Sequence, residues 1–155
     1  MSDALHDDDA PDRHAGPQPV ESTVELEVRY AETDQMAVVH HANYVVWFEV
    51  ARTRLCERSG FHYAAVEELG YLLMVTAVRL SYRRPARYGQ RVEVHCHIEH
   101  MGSRGVTFGY RVTHDGDLLA RGTTEHVWVD KSTGRPCRTP EVLYEPFRRM
   151  AGLED

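Results

Sequence analysis

The 155-residue sequence has few cysteines, no long apolar run and no excess of basic charge. Its three cysteines, Cys56, Cys96 and Cys137, are far apart and form no Cys-x-x-Cys pair, which argues against a disulfide framework or a zinc knuckle and predicts free thiols. The longest mainly apolar stretch, residues 71–78, is much shorter than the roughly 20 residues that a membrane-spanning helix needs. The acidic N-terminus lacks the basic start and apolar centre of a signal peptide, so we expect a cytoplasmic protein without a membrane span.

The formal net charge of −6 is concentrated near the N-terminus. Residues 1–21 carry a net charge of −5, so the rest of the chain is close to neutral. A neutral body argues against a nucleic-acid partner, because such binding depends on clustered lysine and arginine. Residues 1–21 are also rich in Asp, Pro and Ala without an apolar period, which predicts a disordered acidic tail before a single domain at residues 22–155.

The domain begins with a strand pattern that is followed by a helix pattern. Apolar and charged residues alternate over residues 24–30, which predicts a strand with one wet face. Residues 42–59 predict a helix that stops at Gly60, and a shorter helix is predicted at residues 63–69. The apolar stripe of the long helix contains Tyr44, Trp47, Phe48, Ala51 and Leu55, widened by Val45, Val46 and Val50. A stripe this wide must be covered on several sides, so we expect a central helix.

The second half of the sequence predicts four long strands and a terminal helix. The strands are expected at residues 72–82, 91–100, 104–113 and 118–129, and the helix at residues 141–150. Short turn segments between the later strands predict an antiparallel meander. The order of elements predicts an α+β fold in which one curved antiparallel sheet wraps the long helix. One small sheet cannot cover all of that helix and also protect its own edges, which predicts a homodimer.

The polar segment between the first strand and the long helix is the main candidate for a functional site, because such loops present chemical groups on a rigid scaffold. It reads YAETDQMAVVHHANY over residues 30–44. Asp34 lies seven residues before His41, so the loop can fold back and place a carboxylate beside the helix N-terminus. Unpaired amides there would polarise a carbonyl, which the carboxylate would attack directly or through an activated water. The alternative is that Thr33 and Asp34 are only turn and capping residues.

This segment, followed by Phe48-Glu49-Val50-Ala51-Arg52-Thr53, resembles the signature of hotdog-fold acyl-CoA thioesterases, most closely the 4-hydroxybenzoyl-CoA thioesterase family. The likeness continues through LSYRRPARYG at residues 80–89, the hairpin at residues 102–107 and GTTEHVWVDKSTGRPCRTP at residues 122–140. It covers nearly everything except the tail. The resemblance implies a hotdog fold and hydrolysis of acyl-CoA to free acid and CoA, with no metal or cofactor. It also implies a homodimer or homotetramer with the active site at a subunit interface.

The resemblance further implies roles for individual residues. Asp34 matches the family's catalytic carboxylate, as nucleophile or general base, and His41 occupies the position whose amide binds the thioester carbonyl oxygen. The His41 side chain either orients Asp34, contacts water or substrate, or caps the helix. Two residues depart from the family pattern: Ala37 stands where glycine is usual, and His40 where an aromatic residue is usual. Ala37 restricts the loop backbone, and His40 changes the polarity near the acyl pocket, so the acyl group cannot be inferred from relatives.

Further substrate-binding candidates surround this segment. Glu49 on the long helix is the alternative to Asp34 as the catalytic carboxylate, because a related branch of hotdog thioesterases uses an acidic residue on this helix. We favour a different role for Glu49, in which it orders the loop or pairs with an arginine. The arginines around Pro85 form a basic cluster suited to the phosphates of CoA. The predicted substrate-binding residues are His40, Asn43, Tyr44, Glu49, Arg83, Arg84, Arg87, Ser103 and Arg104.

Two other chemistries are disfavoured, and two other functions stay open. His95, His97 and His100 lie close together in sequence, but no carboxylate-rich motif supports a metal site. Cys56 and Cys96 have no neighbouring base or helix start that would activate a thiol. One alternative function is a hotdog protein that binds acyl-CoA or acyl carrier protein without turnover. The other is a hotdog dehydratase acting on a hydroxyacyl substrate.

Overall fold

The computed structural model describes residues 17–60 and 62–153. The strands are β1 (Ser22–Glu27), β2 (Tyr71–Tyr82), β3 (Arg91–Met101), β4 (Gly105–His114), β5 (Asp117–Asp130) and the short β6 (Arg135–Pro136). The helices are α1 (Asn43–Arg58), α2 (Tyr63–Glu68) and α3 (Glu141–Met150), and one 3₁₀ turn covers Tyr30–Glu32. Residues 1–16 of the predicted acidic tail lie outside the described residues. Within the described ranges, no helix is long and apolar enough to cross a membrane.

The strands form one antiparallel sheet in the order β1-β3-β4-β5-β2, and β6 also pairs with β5. β3, β4 and β5 are joined by short hairpin turns, as predicted. The prediction of a four-strand meander is wrong for β2, which pairs with β5 rather than with β3. The connection from β2 to β3, residues 83–90, is longer than a hairpin turn, so it does not force its two strands to be neighbours. β2 consequently forms one edge of the sheet.

β1 ends earlier than the alternating pattern predicts. The expected strand covered residues 24–30, whereas β1 covers Ser22–Glu27, and Tyr30 begins the 3₁₀ turn with its side chain largely exposed. The Glu32 carboxylate accepts a hydrogen bond from the Arg29 amide at 2.8 Å. This local bond turns the backbone away from the sheet, which is why the strand stops although the apolar alternation continues.

The core lies between α1 and one face of the sheet, as the predicted α+β arrangement requires. The predicted helix stripe is confirmed for Tyr44, Trp47, Phe48, Ala51 and Leu55, which are all buried. The predicted widening of the stripe is wrong for Val46 and Val50, which are exposed because the sheet of this chain covers only one side of α1. The Phe48 ring stacks on Tyr110 of β4 with ring centroids 4.1 Å apart. A Cβ on Gly122 of β5 would lie 2.8 Å from the Phe48 ring, so the close approach of helix and sheet requires glycine at that position.

The sheet carries register shifts in three of its strand pairs. Such irregularities bend a strand and increase its twist, which lets long strands curve around a helix. The turn between β4 and β5 is formed by Asp115 and Gly116, both with positive φ, of 48° and 81°. That pair of conformations is typical of the tight hairpin turn for which Asp-Gly is favoured.

Candidate active site

Glu32 anchors the loop between β1 and α1 from a buried position. Its Oε1 accepts a hydrogen bond from the Arg29 amide and its Oε2 one from the Trp47 indole, each at 2.8 Å. Its backbone carbonyl accepts from the His40 amide at 2.8 Å and from the Asn43 side-chain amide at 2.9 Å. Burial acts to raise the pKa of Glu32, but the hydrogen bonds from Arg29 and Trp47 outweigh it and hold the pKa below its usual value. Glu32 therefore ties the loop to α1 as a carboxylate.

Asp34 lies in a tight turn that fixes one of its carboxylate oxygens. Its Oδ1 accepts a 2.8 Å hydrogen bond from the Met36 amide. Its own amide donates to the Val38 carbonyl at 2.9 Å, and its carbonyl accepts from the Ala37 amide at 3.0 Å. Within the described part of the chain, no hydrogen bond involves Oδ2. The turn and a chemical role are thus compatible, because the turn orients the carboxylate through Oδ1 and leaves Oδ2 available.

Ala37, which stands where the resembled family usually has glycine, has a φ of 60°. This is the left-handed region, which costs a residue with a side chain on the order of 1–2 kcal/mol relative to its ordinary conformations. The loop therefore adopts a glycine-type conformation although the residue is alanine. The hydrogen bonds of Glu32 and Asp34 hold the backbone in this conformation.

The start of α1 is organised by two adjacent histidines. The Ala42 amide donates to Nδ1 of His40 at 3.2 Å, so His40 satisfies one of the amides at the helix start. The centroids of the His40 and His41 rings lie 4.1 Å apart. The His41 carbonyl accepts a 2.9 Å hydrogen bond from the Tyr82 hydroxyl, while no hydrogen bond among the described residues uses the His41 amide. That amide lies at the positive end of the helix dipole and is available to an incoming acceptor.

Asp34 and His41 line one cleft of about 300 Å³ between the loop, the start of α1 and the end of β2. The cleft wall includes Tyr44, which is almost fully buried and whose ring packs edge-on against Tyr82 at 5.1 Å. The other lining residues are Met36, Val38, Val39, Arg83, Arg84 and Pro85. The site therefore combines one carboxylate, one available amide, mainly apolar walls and two arginines.

The two arginines of the cleft differ in their pairing. Arg84 Nη1 lies 3.1 Å from Asp117 Oδ2, in a pair that is exposed on both sides. The Arg83 side chain has no ion-pair partner among residues 17–60 and 62–153, and only its backbone amide bonds to Leu119. Arg83 is consequently the better placed of the two to contact an anionic group at the cleft.

Other predicted binding residues lie outside this cleft in the single chain. Glu49 lines a separate pocket of about 310 Å³ beside Arg52 and α2. Ser103 and Arg104 line a pocket of about 380 Å³ at the turn between β3 and β4. His40 and Asn43 order the loop, and Arg87 lies in the exposed turn before β3. Binding roles for these six residues stay predictions.

Two residues of the site were not among the predicted ones. Tyr82 directly precedes the arginine cluster in LSYRRPARYG. Its position at the end of a predicted strand, next to predicted binding residues, could have indicated that it belongs to the site. Glu32 lies in a polar loop, where carboxylates are normally solvated, so nothing in the sequence indicates its burial.

The cysteines and histidines considered for other chemistries lie in the following surroundings. Cys56 and Cys96 are buried free thiols, and burial raises the pKa of Cys56 to about 11 and also raises that of Cys96. Both are therefore poor nucleophiles. No three His, Cys, Asp or Glu side chains among the described residues come together as a metal site would require.

Comparison with known proteins gives a consistent result. The sequence matches the Thioesterase-like superfamily over residues 28–147. It is 43% identical over 116 residues to YneP of Bacillus subtilis, named for acyl-CoA thioesterase activity, covering 74% of this chain and 84% of that protein. It is 27% identical over 125 residues to the acyl-CoA thioester hydrolase YbgC of Escherichia coli, covering 80% and 93%. The crystal structure of the DHNA-CoA thioesterase of Staphylococcus aureus superposes with a TM-score of 0.81 at 32% identity, covering 86% of this chain and 92% of that one.

Proposed function

Because this chain belongs to the thioesterase-like superfamily, we propose that it hydrolyses acyl-CoA thioesters in the cleft that contains Asp34 and His41. The superfamily and the hotdog fold expected from the sequence are confirmed. The names of the relatives support acyl-CoA as the substrate class. The observation that carries the proposal is that an oriented carboxylate lines the same cleft as His41, whose helix N-terminal amide makes no hydrogen bond among the described residues.

The proposed reaction uses these two groups together. The thioester carbonyl oxygen accepts a hydrogen bond from the His41 amide, which stabilises the negative charge that develops on that oxygen. Asp34 Oδ2 either attacks the carbonyl carbon or takes a proton from a water molecule that attacks it. The C–S bond then breaks, and the CoA thiolate leaves and takes up a proton. After direct attack, water hydrolyses the mixed anhydride between the acyl group and Asp34 and regenerates the carboxylate, so on either route one water molecule is consumed for each free acid formed.

Tyr82 has a positioning role in this proposal. Its hydroxyl donates to the carbonyl of His41, the same residue whose amide is proposed to bind the substrate. The bond fixes the orientation of the backbone at the helix start, and small displacements there are costly for a reaction that depends on geometry. Tyr44 and Tyr82 would contact the acyl or pantetheine chain, and Arg83 would contact a phosphate of CoA.

A second copy of the chain is proposed to pair with β2. Among the described residues, this strand is hydrogen-bonded to β5 on one side only, and it exposes Met74, Val75 and Val78. Two apolar residues of α1, Val46 and Val50, are 52% and 38% exposed. A long apolar edge strand is normally covered, and pairing along β2 would bring the partner close to the cleft at its end. We propose a homodimer, with a homotetramer as the larger alternative.

The test is thiol release from short, medium, long and aromatic acyl-CoAs by the native protein, Asp34→Asn and Glu49→Gln. Asp34→Asn keeps the shape and the turn but removes the base or nucleophile, so kcat should fall by about 10²–10⁴-fold. Glu49→Gln is the matched control and should retain most of the activity, because Glu49 lies in another pocket. Equal Tm and equal mass of the three proteins would exclude unfolding as the cause.

Two outcomes would contradict the proposal. Loss of turnover in Glu49→Gln but not in Asp34→Asn would move the chemistry to α1. No turnover of any acyl-CoA or acyl carrier protein thioester, with tight binding retained, would instead favour the non-catalytic alternative.

A further inference from the structure

A second cavity lies on the face of the sheet that points away from α1. It measures about 430 Å³, and we call it the outer cup. Its polar lining residues come from all of the long strands β2 to β5: Arg79, Ser81, His97, Glu99, Arg111, Arg121 and Thr123. None of them lines the cleft of Asp34, so the outer cup is separate from the proposed active site.

The register of the sheet brings three arginines together in the outer cup. Arg111 of β4 lies directly opposite Arg121 of β5. Arg79 of β2 pairs with Thr123, two residues along β5 from Arg121, and is thus its diagonal neighbour. Like charges in directly opposed positions of a sheet repel and destabilise it. The arrangement therefore carries an unfavourable interaction that a bound anion would relieve.

The carboxylates of the described chain do not neutralise this cluster. Arg111 has one carboxylate partner, Glu21, at 3.3 Å. Arg79 and Arg121 have no ion-pair partner within residues 17–60 and 62–153. Glu99 also reaches the outer cup, but arginines remain in excess.

Gly109 forms the floor of the outer cup. It lies between His97 and Thr123 in adjacent strands. A Cβ at this position would be 2.7 Å from Cε1 and 3.0 Å from Nε2 of the His97 ring, so only glycine leaves the imidazole lying over the floor. The imidazole and the Thr123 hydroxyl supply hydrogen-bonding groups beside the arginines.

We propose that the outer cup binds a phosphate-bearing anion. Guanidinium groups suit phosphate because each presents several N–H donors in a planar fork, and two of the three arginines here have no carboxylate of residues 17–60 and 62–153 within ion-pair distance. The cavity is large enough for a diphosphate group. A ligand there would also contact β2, which continues directly from Ser81 into Tyr82 and Arg83 of the cleft.

The experiment measures binding of inorganic pyrophosphate by calorimetry at constant ionic strength near 0.15 M, so that general screening is equal in all samples. The native protein should bind one pyrophosphate per chain. Arg79→Gln and Arg121→Gln should each weaken binding by about tenfold or more. Arg138→Gln is the matched control, because Arg138 is exposed and lies far along the chain from the outer cup; it should leave the affinity unchanged.

Thermal unfolding provides a second readout. Without ligand, Arg121→Gln should have the same Tm as the native protein or a higher one, because a like-charge pair has been removed. Pyrophosphate should raise the Tm of the native protein and of Arg138→Gln, and it should raise that of Arg121→Gln by less. A fall in Tm for unliganded Arg121→Gln would contradict the repulsion on which the proposal depends.

Two further samples identify the source of the phosphate. Adenosine 3′,5′-bisphosphate tests whether a nucleotide of the CoA type binds as well as free pyrophosphate. The proposal is supported if the native protein binds either compound and Arg121→Gln binds it more weakly. Arg83→Gln tests for phosphate binding in the cleft. Binding lost in Arg83→Gln but kept in Arg121→Gln would overturn the proposal. Absence of pyrophosphate binding by the native protein would also overturn it. A change of oligomer mass in Arg79→Gln would then make this face a contact between copies.

Discussion

Glu32 takes no part in the proposed reaction, but it ties the loop that carries Asp34 to α1. Its two carboxylate oxygens and its carbonyl accept four hydrogen bonds. Two of the donors, Arg29 and His40, lie in the loop, and two, Asn43 and Trp47, lie in α1. The sequence indicates Asp34 as a candidate because of its distance from the helix start. It does not indicate Glu32, because the burial of a carboxylate depends on which donors the fold brings to it.

Replacing Glu32 with glutamine should destabilise the protein by about 1–3 kcal/mol at pH 7. The amide can accept one of the bonds from Arg29 and Trp47, but its NH₂ group then faces the other donor. Because the folded pKa of Glu32 is lowered, its stabilisation is fully present above the unfolded value and is lost as pH falls through the folded pKa. The stability difference should therefore shrink below about pH 4, which urea unfolding at several pH values would measure.

Activity provides the second readout for this variant. A loosened loop should lower kcat more than it raises KM, because Asp34 and the His41 amide lose their mutual orientation. Glu145→Gln on the exposed face of α3 is the matched control and should change neither quantity. Unchanged kcat in Glu32→Gln would show that the loop does not need this anchor.

At the scale of elements, β2 is the strand whose surroundings the sequence predicted least well. Its length was predicted nearly to the residue, and its hairpin-like position in the chain suggested β3 as its neighbour. In the described part of the fold it pairs with β5 and has no partner strand on its other edge. Local periodicity determines that a segment is a strand, whereas strand order depends on contacts between residues far apart in the chain.

Lysine at two exposed positions of this strand should disrupt the proposed dimer. In the double variant Val75→Lys, Val78→Lys, charges would be forced together across an edge-to-edge contact. Sedimentation should give the mass of one 17.8 kDa chain instead of at least two. Val142→Lys, at an exposed position of α3, should keep the native mass. A native mass for the double variant would place the contact elsewhere.

At the scale of the whole molecule, a polar network crosses the core beneath α1. Arg52 donates to the Tyr110 hydroxyl at 3.1 Å, that hydroxyl lies 2.6 Å from Thr124 Oγ1, and Thr124 lies 2.8 Å from Nε2 of buried His126. Burial, together with the positive charge of Arg52, lowers the pKa of His126 to about 4. The folded core therefore holds this imidazole neutral.

This network predicts a loss of stability in mild acid. Between the unfolded pKa near 6.5 and the folded value, only the unfolded chain takes up the proton, so stability falls as pH decreases. The contribution should approach about 3 kcal/mol between pH 7 and pH 4. Urea unfolding of His126→Gln at fixed protein concentration should show a correspondingly weaker pH dependence, while His62→Gln, which is exposed, should behave as the native protein does. Equal pH dependence of native protein and His126→Gln would contradict the lowered pKa.

The sequence by itself determined the class of fold, the central helix with its buried stripe, and the segment from Tyr30 to Tyr44 as the place where Asp34 and His41 occur. These features depend on residue periodicity and short spacings, which act locally. Only the tertiary structure decided that β2 pairs with β5, that Tyr82 reaches His41, and that three arginines from three strands share the outer cup. Those contacts join residues that are distant in the chain, and they follow from sheet order and register, which no local pattern specifies.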